Sequence, residues 1–142
     1  MHKLSVLLIL FTLFGFKPRA NNKISADRIK GALAFCKKNK MDTTIAIMID
    51  MSIHSGKNRI FVYDFKQKEI TIEGLCAHGV GGGSTPTKPV FSNKEGSYCT
   101  SLGKYKVKGC PVLSDGTMRK IDVLLKTKKK PVLLWIYEEM LN

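Results

Sequence analysis

The chain has 142 residues, enough for one domain, and carries 24 lysine and arginine residues against 11 aspartate and glutamate residues, a net charge of +13. This charge favours anionic partners, but aromatic residues make up only 8% of the chain and do not alternate with the basic ones. A platform for single-stranded nucleic acid needs aromatic side chains beside its charges, so we expect no nucleic-acid role and instead a solvated basic surface that favours anionic polymers.

The first twenty residues have the pattern of a secretory signal. Lys3 supplies a basic start, residues 4–16 are almost wholly apolar, and Ala20 is a small residue at a plausible cleavage point. The apolar run is too short to span a bilayer comfortably. We therefore expect residues 1–20 to be a signal peptide or a retained N-terminal membrane anchor, and the rest of the chain to be exported to the periplasm or cell envelope.

Residues 21–43 are predicted to form an N-terminal helical segment. Ser25 can cap a helix that runs to about Asn39, and Cys36 lies on its apolar stripe, where packing rather than chemistry is expected. Four cysteines in an exported chain could form two disulfides, and they are also compatible with one reactive thiol among buried ones. No Cys-x-x-Cys pair is present, which argues against a zinc knuckle and a thioredoxin-type redox pair.

The rest of the chain has the alternating apolar patterns of strands. We predict strands over residues 44–53, 59–65, 69–77, 98–107 and 131–137, and a helix over residues 115–126. The first strand is apolar on both faces, which indicates a central position in the sheet. The sequence therefore predicts a mainly β domain with a helix near each end.

Cys110 is the sharpest candidate for chemistry. A cysteine becomes a nucleophile as its thiolate, which positive surroundings favour, and Lys106 and Lys108 lie just upstream. A helix capped by Ser114 would add the positive end of its dipole. The N–H of Gly109 could stabilise an oxyanion beside the thiol. A disulfide or a buried, inert cysteine is the alternative reading of Cys110.

His78 stands at the end of a predicted strand and could act as general base for a cysteine. The competing interpretation is a strand-end histidine bonded to loop backbone. The glycine run 81–83 lacks the ending of a phosphate-binding loop and favours a mobile loop or tight crossover. Cys76, His78, Cys99 and Cys110 match no compact zinc site. The spacing therefore argues against a zinc site.

Several short motifs then occur in a fixed order along the chain. They are Ile49-Asp50-Met51-Ser52, Arg59-Ile60-Phe61-Val62-Tyr63-Asp64, Ala77-His78-Gly79, Phe91-Ser92-Asn93, Gly96-Ser97, Ser101-Leu102-Gly103-x-Tyr105 and Gly109-Cys110-Pro111-Val112-Leu113. The ordered series resembles the murein L,D-transpeptidase catalytic domain family. The resemblance covers roughly residues 44–137 and implies that residues 44–142 form an L,D-transpeptidase-like catalytic domain, a β-sandwich or barrel in incomplete form.

The resemblance also implies a reaction. Cys110 would attack the carbonyl between an L-centre and D-alanine in a peptidoglycan stem peptide. A thioester would form, D-alanine would leave, and an amine of a neighbouring stem would take the acyl group. The resemblance implies that this reaction needs neither a metal nor an organic cofactor. The expected partners are peptidoglycan stem peptides and the anionic surface of the cell wall.

One part of the family pattern is missing. Family members carry a long segment before the nucleophile motif that holds the general-base histidine, whereas only residues 106–108 separate Tyr105 from Gly109 here. We interpret this as an internal deletion near residues 106–109, and His78 belongs to a different, upstream element. Losing a general base costs about two to four orders of magnitude in rate. Two alternatives to the enzyme therefore stand: a non-catalytic remnant that binds the cell wall, and a basic secreted interaction protein stapled by disulfides.

Overall fold

A computed structural model describes residues 23–109 and 116–139. The elements, in chain order, are α1 (Ala26–Lys38), β1 (Ile45–Asp50), β2 (Ile60–Asp64), β3 (Glu69–Gly74), β4 (Gly103–Val107), α2 (Gly116–Lys126) and β5 (Val132–Tyr137). The predicted mainly β fold with a helix near each end is confirmed. The sheet is open rather than closed, as expected for an incomplete form of the L,D-transpeptidase-like fold.

The five strands form one mixed sheet in the order β3-β2-β1-β5-β4. Ile47 of β1 pairs antiparallel with Val62 of β2 on one side and parallel with Leu134 of β5 on the other. All six residues of β1 are buried, which confirms its predicted central position. The sheet thus has two ends: the carboxyl end of β1, near Asp50, and the amino end of β1, near Ile45.

Each face of the sheet is covered by one helix. Alternate residues of a strand point to opposite faces, and both faces of β1 are apolar. On one face Met48 packs in a cluster with Ala32 and Cys36 of α1. On the other face Ile47 packs in a cluster with Ile121 of α2. The central strand therefore lies between two helical layers, and its apolar pattern on both faces has a direct structural cause.

The start of β1 is fixed by the carboxylate of Asp42. Its Oδ1 accepts hydrogen bonds from the N–H of Thr44 at 2.8 Å and from the N–H of Ile45 at 3.2 Å. Burial disfavours the charged form of Asp42, but the hydrogen bonds from Thr44 and Ile45 and the charge of Lys128 together outweigh it, so the pKa is lowered. The charged carboxylate is thus part of the folded structure.

Two predictions about the N-terminal part of the chain have different outcomes. α1 begins after Ser25, whose Oγ accepts a hydrogen bond from the N–H of Arg28 at 3.3 Å, as predicted for a helix cap. Neither helix in the described ranges is long and apolar enough to cross a membrane. The predicted signal or anchor at residues 1–20 lies outside the described residues, and the domain boundaries stay a prediction.

Candidate active site

The loop that carries His78 leaves the end of β3 and runs beside the segment that precedes β4. The N–H of Gly79 donates to Oγ1 of Thr100 at 2.8 Å. A Cβ atom on Gly79 would lie 2.3 Å from the carbonyl oxygen of Tyr98, and one on Gly81 would lie 1.9 Å from the nearest backbone oxygen. Only glycine allows two backbone segments to approach this closely. The glycine cluster therefore forms a tight crossover, one of the two alternatives predicted from the sequence.

His78 is half-buried in this loop, and its ring is held by the backbone of the next residue, Gly79. Nδ1 lies 2.9 Å from the carbonyl oxygen of Gly79. A carbonyl oxygen can only accept a hydrogen bond, so Nδ1 carries the proton and, in the neutral ring, Nε2 has the free lone pair. A histidine bonded to loop backbone was the alternative to a general base predicted from the sequence, and this bond is present. It is also the contact that would leave Nε2 ready to take a proton.

Arg59 joins the His78 loop to the loop that follows β1. The side chain is fully buried, with Nε donating to the carbonyl of Cys76 at 2.6 Å and Nη1 to the carbonyl of Ile53 at 3.1 Å. Its Nη2 is buried without a hydrogen-bond partner among the described residues. Burial lowers the pKa of Arg59, while the charges of Cys76 and Asp50 act in the opposite direction. Arg59 therefore sets the position of the chain two residues before His78.

Sequence reasoning missed this role of Arg59. The residue opens an otherwise apolar strand pattern, and a lone charged residue at such a position usually faces solvent. The one feature of the sequence that indicated a role for Arg59 was its position as the first residue of one of the ordered family motifs.

A cleft of about 770 Å³ opens at the carboxyl end of β1. Its lining combines two ammonium groups, two carboxylates, hydroxyls and one aromatic ring, and includes Lys23, Ser25, Asp50, Ser52, Lys57, Phe61 and Glu139. Asp50 is 6% exposed and accepts hydrogen bonds from Ser52, from the N–H at 2.9 Å and from Oγ at 2.6 Å. The cleft could hold a ligand that carries both charges. Sequence reasoning did not find it, although Asp50 and Ser52 belong to the first family motif.

Gly109 follows β4 at the other end of the sheet. The last residue of β4, Val107, pairs with Val132 at the amino end of β1, and Gly109 is exposed with open space around it. His78 instead belongs to the loop at the carboxyl end. The structure therefore does not bring His78 and Gly109 together. Cys110 lies outside the described residues, so the roles of Cys110, Gly109 and His78 stay predictions.

Comparison with known families gives a match over residues 17–108, about two thirds of the chain, to the L,D-transpeptidase catalytic domain. The chain belongs to this family. No curated protein and no solved structure gives a significant match. As an L,D-transpeptidase-like protein, it belongs to a family that acts on peptidoglycan. The match covers the strands β1 to β4, the cleft residues before position 109 and the His78 loop, and stops just before Gly109 and Cys110.

Three thiols of this L,D-transpeptidase-like chain lie in its described part, and Cys36, Cys76 and Cys99 are all free. Burial, with a smaller effect of Asp42, raises the pKa of Cys36 to about 11. Burial also raises the pKa of Cys76, although the charge of Arg59 opposes it. A raised pKa keeps a thiol protonated, so Cys36 and Cys76 are poor nucleophiles at neutral pH. The disulfide-stapled alternative finds no bridge among these three cysteines.

No group of three His, Cys, Asp or Glu side chains in residues 23–109 and 116–139 is arranged to hold a metal ion. The polar groups of the described site are therefore a histidine with a defined tautomer, a buried arginine and a cleft of mixed charge. These groups can orient a peptide and transfer a proton.

Proposed function

We propose that this protein is exported to the cell envelope and transfers acyl groups between peptidoglycan stem peptides through a thioester on Cys110. The family match over residues 17–108 carries the proposal, because the Gly109-Cys110-Pro111 motif follows it immediately in the sequence. Export is supported by the signal-like pattern of residues 1–20.

In the proposed reaction the Cys110 thiolate attacks the carbonyl carbon of the bond between an L-centre and D-alanine. The N–H of Gly109 stabilises the negative charge that develops on the carbonyl oxygen. The C–N bond then breaks, D-alanine leaves with a proton on its nitrogen, and a thioester remains. An amine of a second stem peptide attacks the thioester, releases the thiol and forms the cross-link.

His78 is the proposed proton-transfer group. Its Nε2 has the free lone pair in the neutral ring, because Nδ1 donates to the backbone. It would take the proton of the Cys110 thiol and return it to the leaving amine. Gly109 and His78 lie at opposite ends of the sheet, so this role requires the chain around Cys110 to bring its thiol within about 3 Å of Nε2 during the reaction.

The cleft at the carboxyl end of β1 is the proposed site for the stem peptide. Lys57 can bind a carboxylate and Asp50 an amine, whereas Lys23 and Glu139 are already paired with Glu73 and Arg28. The positive charge of the chain supports the second proposed partner, the anionic surface of the cell wall.

A second candidate function, binding of the cell wall without catalysis, is favoured by one observation. Three residues separate Tyr105 from Gly109, where the family places its general-base segment. Under this alternative the cleft and the basic surface bind peptidoglycan, and Cys110 takes no part.

The intact mass of the protein after exposure to a carbapenem separates the two candidates. The family resemblance suggests this probe, since carbapenems acylate the nucleophilic cysteine of such enzymes. We expect a single adduct that is absent from Cys110→Ala, and an acylation rate that falls about a hundredfold or more in His78→Gln. Cys99→Ala is the matched control and should acylate like the wild type.

A folded, reduced protein that forms no adduct would rule out the enzyme. Retained binding of Cys110→Ala to purified peptidoglycan would then support the non-catalytic candidate. An adduct whose rate does not depend on His78 would keep Cys110 as nucleophile and exclude His78 as its base.

A further inference from the structure

The lysines of this chain are concentrated at the amino end of β1. α1 ends there with Lys37 and Lys38 in its last turn, and Lys40 follows it. β2 runs antiparallel to β1, so the turn that joins β2 to β3 lies at the same end and adds Lys66 and Lys68. All five side chains are exposed.

The other half of the sheet contributes a second group at this end. β4 finishes at the amino end of β1, where Lys106 and Lys108 are exposed. α2 finishes there with Lys126, and the run of lysines 128–130 leads into β5. Nζ of Lys128 donates to Oγ1 of Thr44 at 2.9 Å, which holds that run beside the start of β1. These six lysines and the five above are called the lysine end from here on.

The carboxylates at the lysine end are too few to neutralise it. Asp42, Asp64 and Glu69 lie there, and Asp122 pairs with Lys126 at 2.7 Å. Asp42 and Asp64 each accept backbone hydrogen bonds from the residues that follow them. Eleven lysines against four carboxylates leave seven net positive charges, about half of the +13 of the whole chain.

We propose that the lysine end binds the surface of an anionic phospholipid bilayer, with the cleft and the His78 loop facing away from the membrane. The charges come from four separate chain segments that lie at the same end of the sheet, so they are spread over one end of the molecule. The described cleft lies at the opposite end. Charge spread over one end of the molecule fits a plane of headgroups, whereas a single linear polymer is held best by a track or groove.

The residue types at this end support the same partner. All eleven cations are lysines, while the described arginines, Arg28, Arg59 and Arg119, lie elsewhere. Lysine acts as a hydrated point charge, whereas bidentate recognition of single phosphates favours arginine. Two of the exposed large apolar side chains in the described ranges, Tyr105 and Val123, lie within three residues of lysines of this end, and the Tyr105 hydroxyl donates to the carbonyl of Ser101 and so points away from it. Binding would therefore be electrostatic, without aromatic stacking or deep insertion.

The experiment measures co-sedimentation of the full chain with vesicles of phosphatidylcholine containing 30% phosphatidylglycerol, and with vesicles of phosphatidylcholine alone. We expect binding to the anionic vesicles only, and loss of that binding when salt is raised from about 0.1 M to about 0.5 M. Neutralising three lysines by Lys66→Gln, Lys129→Gln and Lys130→Gln should weaken binding roughly a hundredfold.

The matched control removes the same number of positive charges, three, from the other end of the molecule. Lys57, Lys88 and Lys94 are exposed and belong to loops attached to the carboxyl end of β1, and their change to Gln should alter vesicle binding less than threefold. Both variants keep residues 1–20, so any membrane contact of that segment is common to them.

Equal loss in the two variants would overturn the proposal, because net charge rather than the lysine end would then determine binding. Equal binding to both kinds of vesicle would overturn it as well. So would tighter binding to soluble polyphosphate than to anionic vesicles at the same phosphate concentration. None of these results depends on Cys110, so this proposal and the proposed acyl transfer can fail separately.

Discussion

Arg59 offers the most direct test of how the fold positions the candidate site. Its change to Ala removes the two hydrogen bonds that join the carbonyls of Cys76 and Ile53. Bonds to a charged donor contribute about 1.5 kcal/mol each, and the two buried methylenes beyond Cβ contribute about 0.8 kcal/mol each. The change also removes the buried Nη2, which has no hydrogen-bond partner among the described residues, and this raises the free energy of unfolding by about 2 kcal/mol. The expected net loss in the free energy of unfolding is about 3 kcal/mol.

Urea unfolding followed by circular dichroism measures this loss, and amide hydrogen exchange locates it. Because Arg59 connects two loops, exchange should accelerate first in residues 51–56 and 75–80, before the sheet is affected. Arg59→Lys keeps the charge but cannot reach both carbonyls with a planar fork, so it should show most of the effect. Arg119→Ala, at an exposed position of α2, is the matched control and should change stability by less than about 0.5 kcal/mol.

Two results would refute this reasoning. A loss below about 1 kcal/mol in Arg59→Ala would mean that the two carbonyls find other donors at little cost. Unchanged exchange in residues 75–80 would mean that Arg59 does not hold the His78 loop, whatever its effect on global stability.

Three further predictions concern Asp42, Cys36 and Gly79. Asp42→Asn should lower stability at pH 7, and since the folded pKa of Asp42 is lowered, its contribution is present above about pH 4 and lost as pH falls below that value; in unfolding titrations the stabilities of variant and wild type should differ at pH 7 and approach each other as pH falls towards 3. The fold favours the neutral thiol of Cys36, whose pKa is raised from an ordinary 9.0 to about 11. The free energy of unfolding should therefore fall by at most about 3 kcal/mol as the pH rises from 9 to 11. Urea unfolding should show a smaller fall over this pH range in Cys36→Ala. Gly79→Ala places a Cβ 2.3 Å from backbone and should cost about 2–4 kcal/mol in thermal unfolding, whereas Gly116→Ala has open space and should not; equal melting temperatures would contradict the crossover geometry.

Local patterns in the sequence predicted the elements well, but not their neighbours. Ser25 and the apolar stripe of α1 specify a helix through contacts within a few residues, and the apolar run of β1 specifies a strand buried on both faces. The parallel pairing of β1 with β5 has no local signal, since its register depends on packing between distant segments. The same is true of Arg59, whose partners lie in two loops that only the folded chain brings together.

The fourth strand shows where a local pattern misleads. An apolar and aromatic pattern over residues 98–107 predicted one long strand, yet β4 begins at Gly103. Residues before it pair instead with the glycine crossover and with the segment around Phe91. Backbone groups in that stretch are satisfied by loop contacts, which side-chain periodicity does not report.

The central pairing of the sheet has a consequence for how the chain folds. Ala46 pairs with Tyr63 nearby in sequence, but with Leu133 some 87 positions away. Closing the longer loop costs about 1.4 kcal/mol more in chain entropy than closing the shorter one. The β1–β2–β3 meander is therefore expected to form first, and β1 then has one unpaired, apolar edge until β5 arrives. During that interval a newly made chain would be most prone to pair with its own copies, so a factor that shields this edge would raise the yield of folded protein.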